Sequence, residues 1–390
     1  IKDEISINET ARFRVIGMTL ETRPDFINKY SIRKYRYYGV TRIQIGVQHY
    51  DDVILKKIKR DCYTRDTIKA IRLLKQVGLK VVVHLMPDLP GSSPEKDQWM
   101  FQQAIENPDL QFDDVKIYPT AVCKSHDDNL IVYSEIGEWY KNGTYKPYSE
   151  TNLNQLIDVL EYYLVNMNPW VRIQRLVRDI PTNEIEAGYH KKINLRQMIN
   201  DKIKKENKKC LDIRMMEIKD RKFPDSHNRL VVYPYEASEG KEFHIQYEAH
   251  SLPWYKDFYY ILFILASWFY SIFGISIYYM GNKNTYQAVY GFCRLRLDKN
   301  PGGKILPDLN DCAMIREVHV YGNSVTINKK QKESQHRGFG RKMVRVAEII
   351  AKQHNYNKMA VIAGVGTRQY YQNKCGYHLP TDSTYMMKLI

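Results

Sequence analysis

Short apolar runs alternate with amphipathic stretches through the first third of this chain, and residues 13–20, 42–47, 79–86 and 114–118 read as strands. Helical patterns lie between the first three. The clearest sets Ala70, Leu73, Leu74 and Val77 at i, i+3, i+4 and i+7 and closes on Gly78, suited to the left-handed residue after a helix. Strand and helix alternating at this spacing predict parallel βα units. Each run ends in polar or Gly/Pro-rich sequence: Glu21-Thr-Arg-Pro-Asp25, Gly46-Val-Gln48, Pro87-Asp-Leu-Pro-Gly91 and Tyr118-Pro-Thr120. Parallel α/β barrels grip ligands at those strand ends. Four such units make only part of a barrel.

Residues 150–218 read as helical and basic, with an amphipathic helix over 152–166, a basic strand or turn at 172–178 and a Lys-rich helix over 195–209. A second region opens near Leu230. Strand-like runs at 230–233, 242–247, 288–297 and 315–321 precede a Gly-containing turn, a helix over 341–353 and a strand at 358–363. The expected division is 1–150 for the partial barrel, 151–225 for a basic connector and 226–390 for an α+β domain. Residues 258–280 carry no charge and are long enough to cross a bilayer. A single crossing would separate the runs at 242–247 and 288–297, read as strands of one sheet. The tract is therefore expected to be an insertion, about 251–284, and a membrane is not an expected partner.

Charge narrows the choice of partner. Lys and Arg number 59 against 44 Asp and Glu, a formal net charge of +15, which favours a polyanion and nucleic acid before membrane. Arg172, Arg175, Arg178, Lys191, Lys192 and Arg196 cluster in the connector, with Lys202, Lys204, Lys205, Lys208 and Lys209 beyond. A solvated Lys-rich helix is the competing account of that last run. The six cysteines are scattered with no CxxC, so no zinc ligand set or cluster-binding triplet is expected, and a reducing compartment suits them. The first residues, Ile1-Lys-Asp-Glu, read like the middle of a protein.

Candidate chemistry concentrates near the C-terminus. In Gln335-His-Arg-Gly-Phe-Gly340 the glycines would let backbone approach a phosphate while the following helix N-terminus faces the anion, with Arg337, Arg341 and Lys342 beside it. An ordinary Gly turn before a helix is the plainer alternative. The spacing Gln-x-x-Gly-x-Gly resembles the pyrophosphate-binding motif of GNAT acetyltransferases, which use it to hold coenzyme A. Arg316-Glu-Val-His-Val-Tyr-Gly322 lies where such folds line the acetyl group with backbone donors able to stabilise an oxyanion. Tyr370 and Tyr371 follow a Gly-containing approach, and one could protonate a leaving thiolate. Half-buried packing is the alternative for paired tyrosines.

The tail from Ala360 to Tyr371 resembles that of the Elongator catalytic subunit family. The likeness extends in collinear order over Gln335–Gly340, 317–322, Arg178-Asp-Ile-Pro181, Lys116-Ile-Tyr-Pro-Thr120, His84-Leu-Met-Pro-Asp-Leu-Pro90, Thr41-Arg-Ile-Gln-Ile-Gly-Val-Gln48 and Glu21-Thr-Arg-Pro-Asp25. This resemblance implies a radical-SAM barrel lacking its first strands, joined to a GNAT domain. It implies acetyl-CoA-dependent, carboxymethyl-type modification at C5 of the tRNA wobble uridine, with S-adenosylmethionine (SAM) and a 4Fe-4S cluster as cofactors. Carried over by position, acetyl-CoA contacts fall at Arg316, Glu317, Val318, His319, Gln335, Gly338, Phe339, Gly340, Arg341 and Tyr370, with Tyr370, Tyr371 and Glu317 as catalytic candidates. At Arg316 this chain departs from an acidic residue of the family pattern. Glu21, Arg23, Gly46, Gln48 and the turn 86–90 would face SAM. The family's cluster cysteines lie upstream of the matching block, so no cluster or metal is expected on this chain. Expected partners are tRNA and other Elongator subunits, in the cytoplasm and also the nucleus. A protein lysine acetyltransferase and a non-catalytic assembly fragment are the alternatives.

Overall fold

The computed structural model describes residues 1–124, 134–178, 180–189, 194–271, 277–322 and 338–390, without the side chains of 182 and 268–271. In chain order its first strands are β1 (Thr19–Thr22), β2 (Arg42–Gln48), β3 (Lys80–Leu85), β4 (Asp114–Ile117), β5 (Ala121–Cys123), β6 (Arg172–Leu176) and β7 (Ile185–Gly188). Five form a parallel sheet in the order β1-β2-β3-β4-β6, and β5 and β7 pair as a small antiparallel ribbon.

Parallel neighbours need helical crossovers, and the sequence supplies them. Helix Thr64–Gln76 buries Ala70, Ile71 and Leu74, and Gly78 at φ +77° lets the chain turn into β3. Asn152 caps helix Leu153–Asn166 by accepting from the Asn154 N–H at 3.1 Å. These helices cover one face of the sheet, where Ile43, Ile45, Val81, Val83, Val115, Ile117 and Ile173 are buried in one core. The opposite face carries Arg42, Gln44, Lys80, His84, Asp114, Lys116 and Gln174.

Two strand expectations need correction. The basic strand or turn expected at 172–178 is a strand, β6, and it joins the first sheet as a fifth strand instead of belonging to a connector. Its residues alternate between charged or polar and apolar because only one face meets the helices, so its charge pointed to a connector and not to the barrel sheet. Of the run 13–20, only its end enters β1. Phe13, Val15 and Ile16 are exposed, and the Val15 carbonyl accepts from the Gly366 N–H at 3.2 Å instead of joining a ladder.

The second sheet contains β8 (Asn228–Ala237), β9 (Gly240–His250), β10 (Tyr286–Asp298), β11 (Cys312–Val320), β12 (Lys358–Val361) and β13 (Met386–Leu389), ordered β13-β12-β11-β10-β9-β8. Only β11 and β12 run parallel, and they pair only from Cys312 to Ile315. Beyond Ile315 the strands part. Helix Phe339–Gln353 covers the sheet with Met343, Val344, Ala347, Ile350 and Ala351.

β9 and β10 are antiparallel partners from end to end, although the apolar tract separates them in sequence. Helix Phe258–Ser271 lies in that connection. Tyr260 and Phe263 pack against the cluster of Val231, Tyr233 and Tyr279, whereas Phe258, Tyr259, Leu262 and Leu265 are exposed. Among the described residues no helix is long and apolar enough to cross a membrane.

The second sheet docks beneath the first, at the N-terminal ends of its strands. Met314 fills the space beside Gly78, Arg316 reaches the Leu79 carbonyl, and Trp170 stacks on Tyr235 at 4.1 Å.

Candidate functional site

Where β11 leaves β12, residues 316–320 present an edge without a β12 partner. The N-terminus of helix Phe339–Gln353 stands beside it. Gly338 occupies the cap position at φ +74°, and having no side chain it caps none of the first-turn N–H groups, a helix N-terminus suited to an anion. A Cβ on Gly340 would lie 2.6 Å from Tyr370 Oη, so any larger residue would push the Tyr370 hydroxyl aside. Arg341 and Lys342 occupy the same turn. A groove of about 830 Å³ continues along the helix past Arg341, Arg345, Lys374 and Lys388.

The tyrosine pair divides its work. Tyr370 is 37% exposed, and burial of its hydroxyl, then its contact with Cys375, raises its pKa and keeps the phenol protonated. Tyr371 is buried, set edge-on to both Tyr370 and Tyr377. Phe339 packs on Tyr247 and Tyr290. His319 stacks on Phe292 and lies 4.3 Å from the Tyr321 ring. Gln335 and Arg337 fall outside the described residues.

Arg316 and Glu317 have different surroundings from the rest of this group. The β10–β11 register slips between Arg294 and Leu295, leaving Arg316 as an extra residue, so both side chains turn toward the first sheet. Arg316 pairs with Asp113 and Glu242. Glu317 receives Lys80 and Arg294, each at 3.1 Å. Burial opposes Glu317's ionisation, but Lys80, Arg294 and Arg42 outweigh it and hold the carboxylate far below its usual range. A carboxylate so held is a poor proton acceptor.

A second cavity, of about 440 Å³, lies at the C-terminal ends of β1, β2 and β3. Glu21, Arg23, Gly46 and Gln48 all line it. Arg60 and His84 join them; His84 opens one of the blocks that carry the family resemblance, whereas no strand-end motif announces Arg60. Arg60 donates to the Gly46 carbonyl at 2.5 Å, and a Cβ on Gly46 would lie 2.6 Å from the guanidinium. Gln48 sits at φ +74°. Its Oε1 and Arg60 Nε are buried without a hydrogen-bond partner, which leaves an acceptor and a donor for a polar ligand. His84 lies 3.7 Å from Glu21 and 3.1 Å from Gln44, and burial brings its pKa down to about 4. Arg23 pairs with Asp25. The turn 86–90 is stitched to the short helix Tyr148–Thr151, because the Asp88 carboxylate accepts from the N–H groups of Tyr148 and Ser149.

The basic stretch is partly self-neutralised. Arg172 pairs with Glu217, Arg196 with Asp212, Lys202 with Asp158 and Glu161, and Lys208 with Glu161. Lys209 bonds to the Lys283 carbonyl. Arg175, Arg178, Lys204 and Lys205 are exposed. Lys191 and Lys192 fall outside the described residues. Among the described residues no three His, Cys, Asp or Glu side chains are grouped to hold a metal, so these residues offer no cradle for an iron–sulfur cluster.

Comparison with known proteins places this architecture in a class. Residues 1–102 match the Radical SAM superfamily and residues 112–205 the Radical_SAM C-terminal domain. The chain is 36% identical over 386 residues to the tRNA uridine(34) acetyltransferase of Methanocaldococcus jannaschii, covering 97% of this chain and 62% of that protein. With the enzyme of that name from Dehalococcoides mccartyi it shares 33% over 391 residues, covering 97% and 73%. With Elongator complex protein 3 of Dictyostelium discoideum it shares 32% over 401 residues, covering 100% and 62%. A solved structure titled as the archaeal Methanocaldococcus infernus Elp3 with N-terminus deletion (1-46) superposes with a TM-score of 0.80 at 34% identity, covering 100% of this chain and 82% of that one. The chain belongs to the family of the tRNA uridine(34) acetyltransferases and Elongator complex protein 3. It spans about 62% of the length of the M. jannaschii protein.

Proposed function

We propose that this chain carries out acetyl-CoA-dependent modification of the tRNA wobble uridine, of carboxymethyl type at C5, as the catalytic subunit of an Elongator assembly. The observation that carries the acetyl-CoA reading is Gly340 set directly against the Tyr370 hydroxyl, at a helix N-terminus that opens on Gly338, beside the stretch of β11 that has no β12 partner. On this reading the region from about residue 226 is a GNAT-type acetyltransferase domain, with about 251–284 inserted in it. The first-turn N–H groups, Arg341 and Lys342 bind the pyrophosphate. Backbone N–H groups of 317–320 face the thioester oxygen, and Tyr370 holds the proton for the departing thiolate. Tyr371 packs behind it. Glu317, committed to three cations, positions β11 against the barrel rather than accepting a proton.

The strand-end cavity would hold SAM through Gln48 Oε1, Arg60 and the open Gly46 backbone. SAM bound there would supply an adenosyl radical only on receiving one electron from a reduced cluster, for which the described residues offer no ligands. Exposed Arg175, Arg178, Lys204 and Lys205 position tRNA through its phosphates. Cationic surfaces favour RNA over a cationic protein tail as acceptor.

Calorimetric titration of the chain with acetyl-CoA tests the reading, alongside tRNA binding at two salt concentrations. Saturable acetyl-CoA binding and tRNA affinity that falls as salt rises support it. A folded chain that binds neither overturns it.

A further inference from the structure

Tyr370 reaches Gly340 from the first turn of helix Arg368–Cys375. Thr367, at the cap position of that helix, makes no side-chain cap, so its start is not fixed locally. The groups that fix it come from the other end of the chain. Helix Lys2–Thr10 is followed by a segment that enters β1 at Thr19. Asn8 closes this segment on the helix: its Oδ1 accepts from the Val15 N–H at 2.7 Å, and its Nδ2 donates to the Val15 carbonyl at 2.9 Å. The same carbonyl accepts from the Gly366 N–H at 3.2 Å. A Cβ on Gly366 would lie 2.8 Å from the Val15 oxygen and 2.7 Å from Arg14 Cβ, and one on Gly364 would overlap the Ile16 carbonyl. Both glycines therefore leave room for a backbone that crosses the turn.

Side chains add two further ties. Arg14 donates to Gln369 Oε1 at 3.2 Å, and Glu9 accepts from Arg368. Arg368 is buried and opens its helix, where a cation opposes the helix dipole. The buried Arg36 guanidinium is near enough to feel its charge as well. Glu9, 359 residues away, supplies the carboxylate that pairs with it. Phe13, Val15 and Ile16 keep their side chains exposed, so backbone fit and polar contacts, rather than apolar burial, hold the segment in place. All of these ties land on residues 364–369, directly ahead of Tyr370.

We propose that residues 8–16 are a brace that sets Tyr370 for proton delivery, with Glu9 a positioning residue acting through Arg368. The proposal rests on the role of Tyr370 proposed above. Misplacing a reacting group by about 1 Å costs up to roughly 10²-fold in rate. The pyrophosphate contacts lie on a different helix, so the brace acts on turnover and not on acetyl-CoA affinity.

Glu9 is partly exposed, so Glu9→Ala keeps the fold. In that variant acetyl-CoA turnover should fall about tenfold, while calorimetric affinity stays within about twofold. Glu9→Asp keeps the charge and should restore most of the rate. In the Tyr370→Phe background Glu9→Ala should cost less than about twofold, because no hydroxyl remains to be placed. Fluorotyrosine labelling adds a readout that needs no turnover. The ¹⁹F signal of Tyr370, identified by its absence in Tyr370→Phe, should shift in Glu9→Ala and in Gly366→Ala. Unchanged turnover in Glu9→Ala, a parallel loss of affinity, full additivity with Tyr370→Phe, or an unmoved signal would each overturn the brace. A moved signal in a chain that fails to bind acetyl-CoA even when unmodified would instead remove the acetyltransferase reading and leave the brace on Tyr370 standing.

Discussion

Arg316 and Asp113, 203 residues apart in sequence, meet fork to fork, with Nη1 2.9 Å from one carboxylate oxygen and Nη2 2.6 Å from the other. Both side chains are fully buried, and Glu242 accepts from the same guanidinium at 2.9 Å. Lys75, Arg294 and Arg296 complete a charged lattice between the two sheets. Removing one member strands the others without water. Arg316→Met should therefore destabilise the chain by about 3–5 kcal/mol, read as a lower urea midpoint. A change below ~1 kcal/mol would show that the lattice contributes little to docking the sheets.

The same lattice sets a pH dependence. Burial raises the pKa of Glu242, but Arg316 and Lys75 overcome this and bring it to about 2; Asp113 is likewise held well below its usual range. Depressed carboxylate values mean that the folded state binds fewer protons than the unfolded one in mild acid. Their stabilisation is complete above the ordinary carboxylate range, near pH 4.5, and is lost as pH falls toward 2. Urea midpoints should fall across that window. Fluorescence of Trp170, stacked on Tyr235 across the interface, should change with them. A flat stability profile from pH 5 to 2.5 would contradict this.

Sequence alone disclosed the βα rhythm, because Ile43, Ile45, Val81 and Val83 point to one apolar face while the crossover helix shows its own period. It disclosed β6 as a basic strand or turn but not as part of this sheet, because Arg172 and Gln174 face the polar concave side. The residues Glu21, Arg23, Gly46 and Gln48 were legible as a group because strand ends carry ligand-binding loops. Arg60 was not, since it lies between two helices and reaches Gly46 only through the fold. The commitment of Arg316 and Glu317 to the interface was equally hidden. It depends on a bulge in β11 and on Asp113, Lys75 and Lys80, all distant in sequence.

At the second sheet, Gly340→Asp places a side chain where only 2.6 Å separates its Cβ from Tyr370 Oη, and adds negative charge at an anion-binding turn. Acetyl-CoA affinity should fall at least tenfold, about 1.4 kcal/mol or more. Tyr370→Phe keeps the ring and removes the hydroxyl. Turnover of acetyl-CoA should drop by roughly 10²-fold with little change in binding, whereas Tyr371→Phe should act mainly on stability. Equal kinetic effects at both positions would assign the pair to packing.

At the strand ends, Gly46→Ala forces Arg60 away from the carbonyl that it holds at 2.5 Å. Titration with S-adenosylhomocysteine should show affinity reduced about tenfold, roughly 1.4 kcal/mol. The urea midpoint should move less, since Arg60 can swing toward solvent. Unchanged affinity in the variant would remove this cavity as the SAM site.

The apolar connection between β9 and β10 separates into a removable part and a part that the sheet needs. Arg229 is buried, lies 3.9 Å from Asp257 and stacks over Tyr260. Tyr279 donates to Asp257 at 3.3 Å, and its carbonyl accepts from the Val232 N–H at 2.9 Å. Deleting all of 251–284 would strip Asp257 and Tyr279 from this group and leave a buried guanidinium unpaired, at a cost of about 3 kcal/mol or more. Replacing only 261–276 with a short Gly/Ser linker keeps Asp257, Tyr260 and Tyr279. It removes Leu262, Ile264 and Leu265, which expose apolar surface to water. Because β9 and β10 pair without help from the tract, the shorter deletion should hold acetyl-CoA affinity within about twofold and raise solubility. The full deletion should lower the urea midpoint. Unfolding of the chain by the shorter deletion would show that the tract is an integral part of the sheet's core.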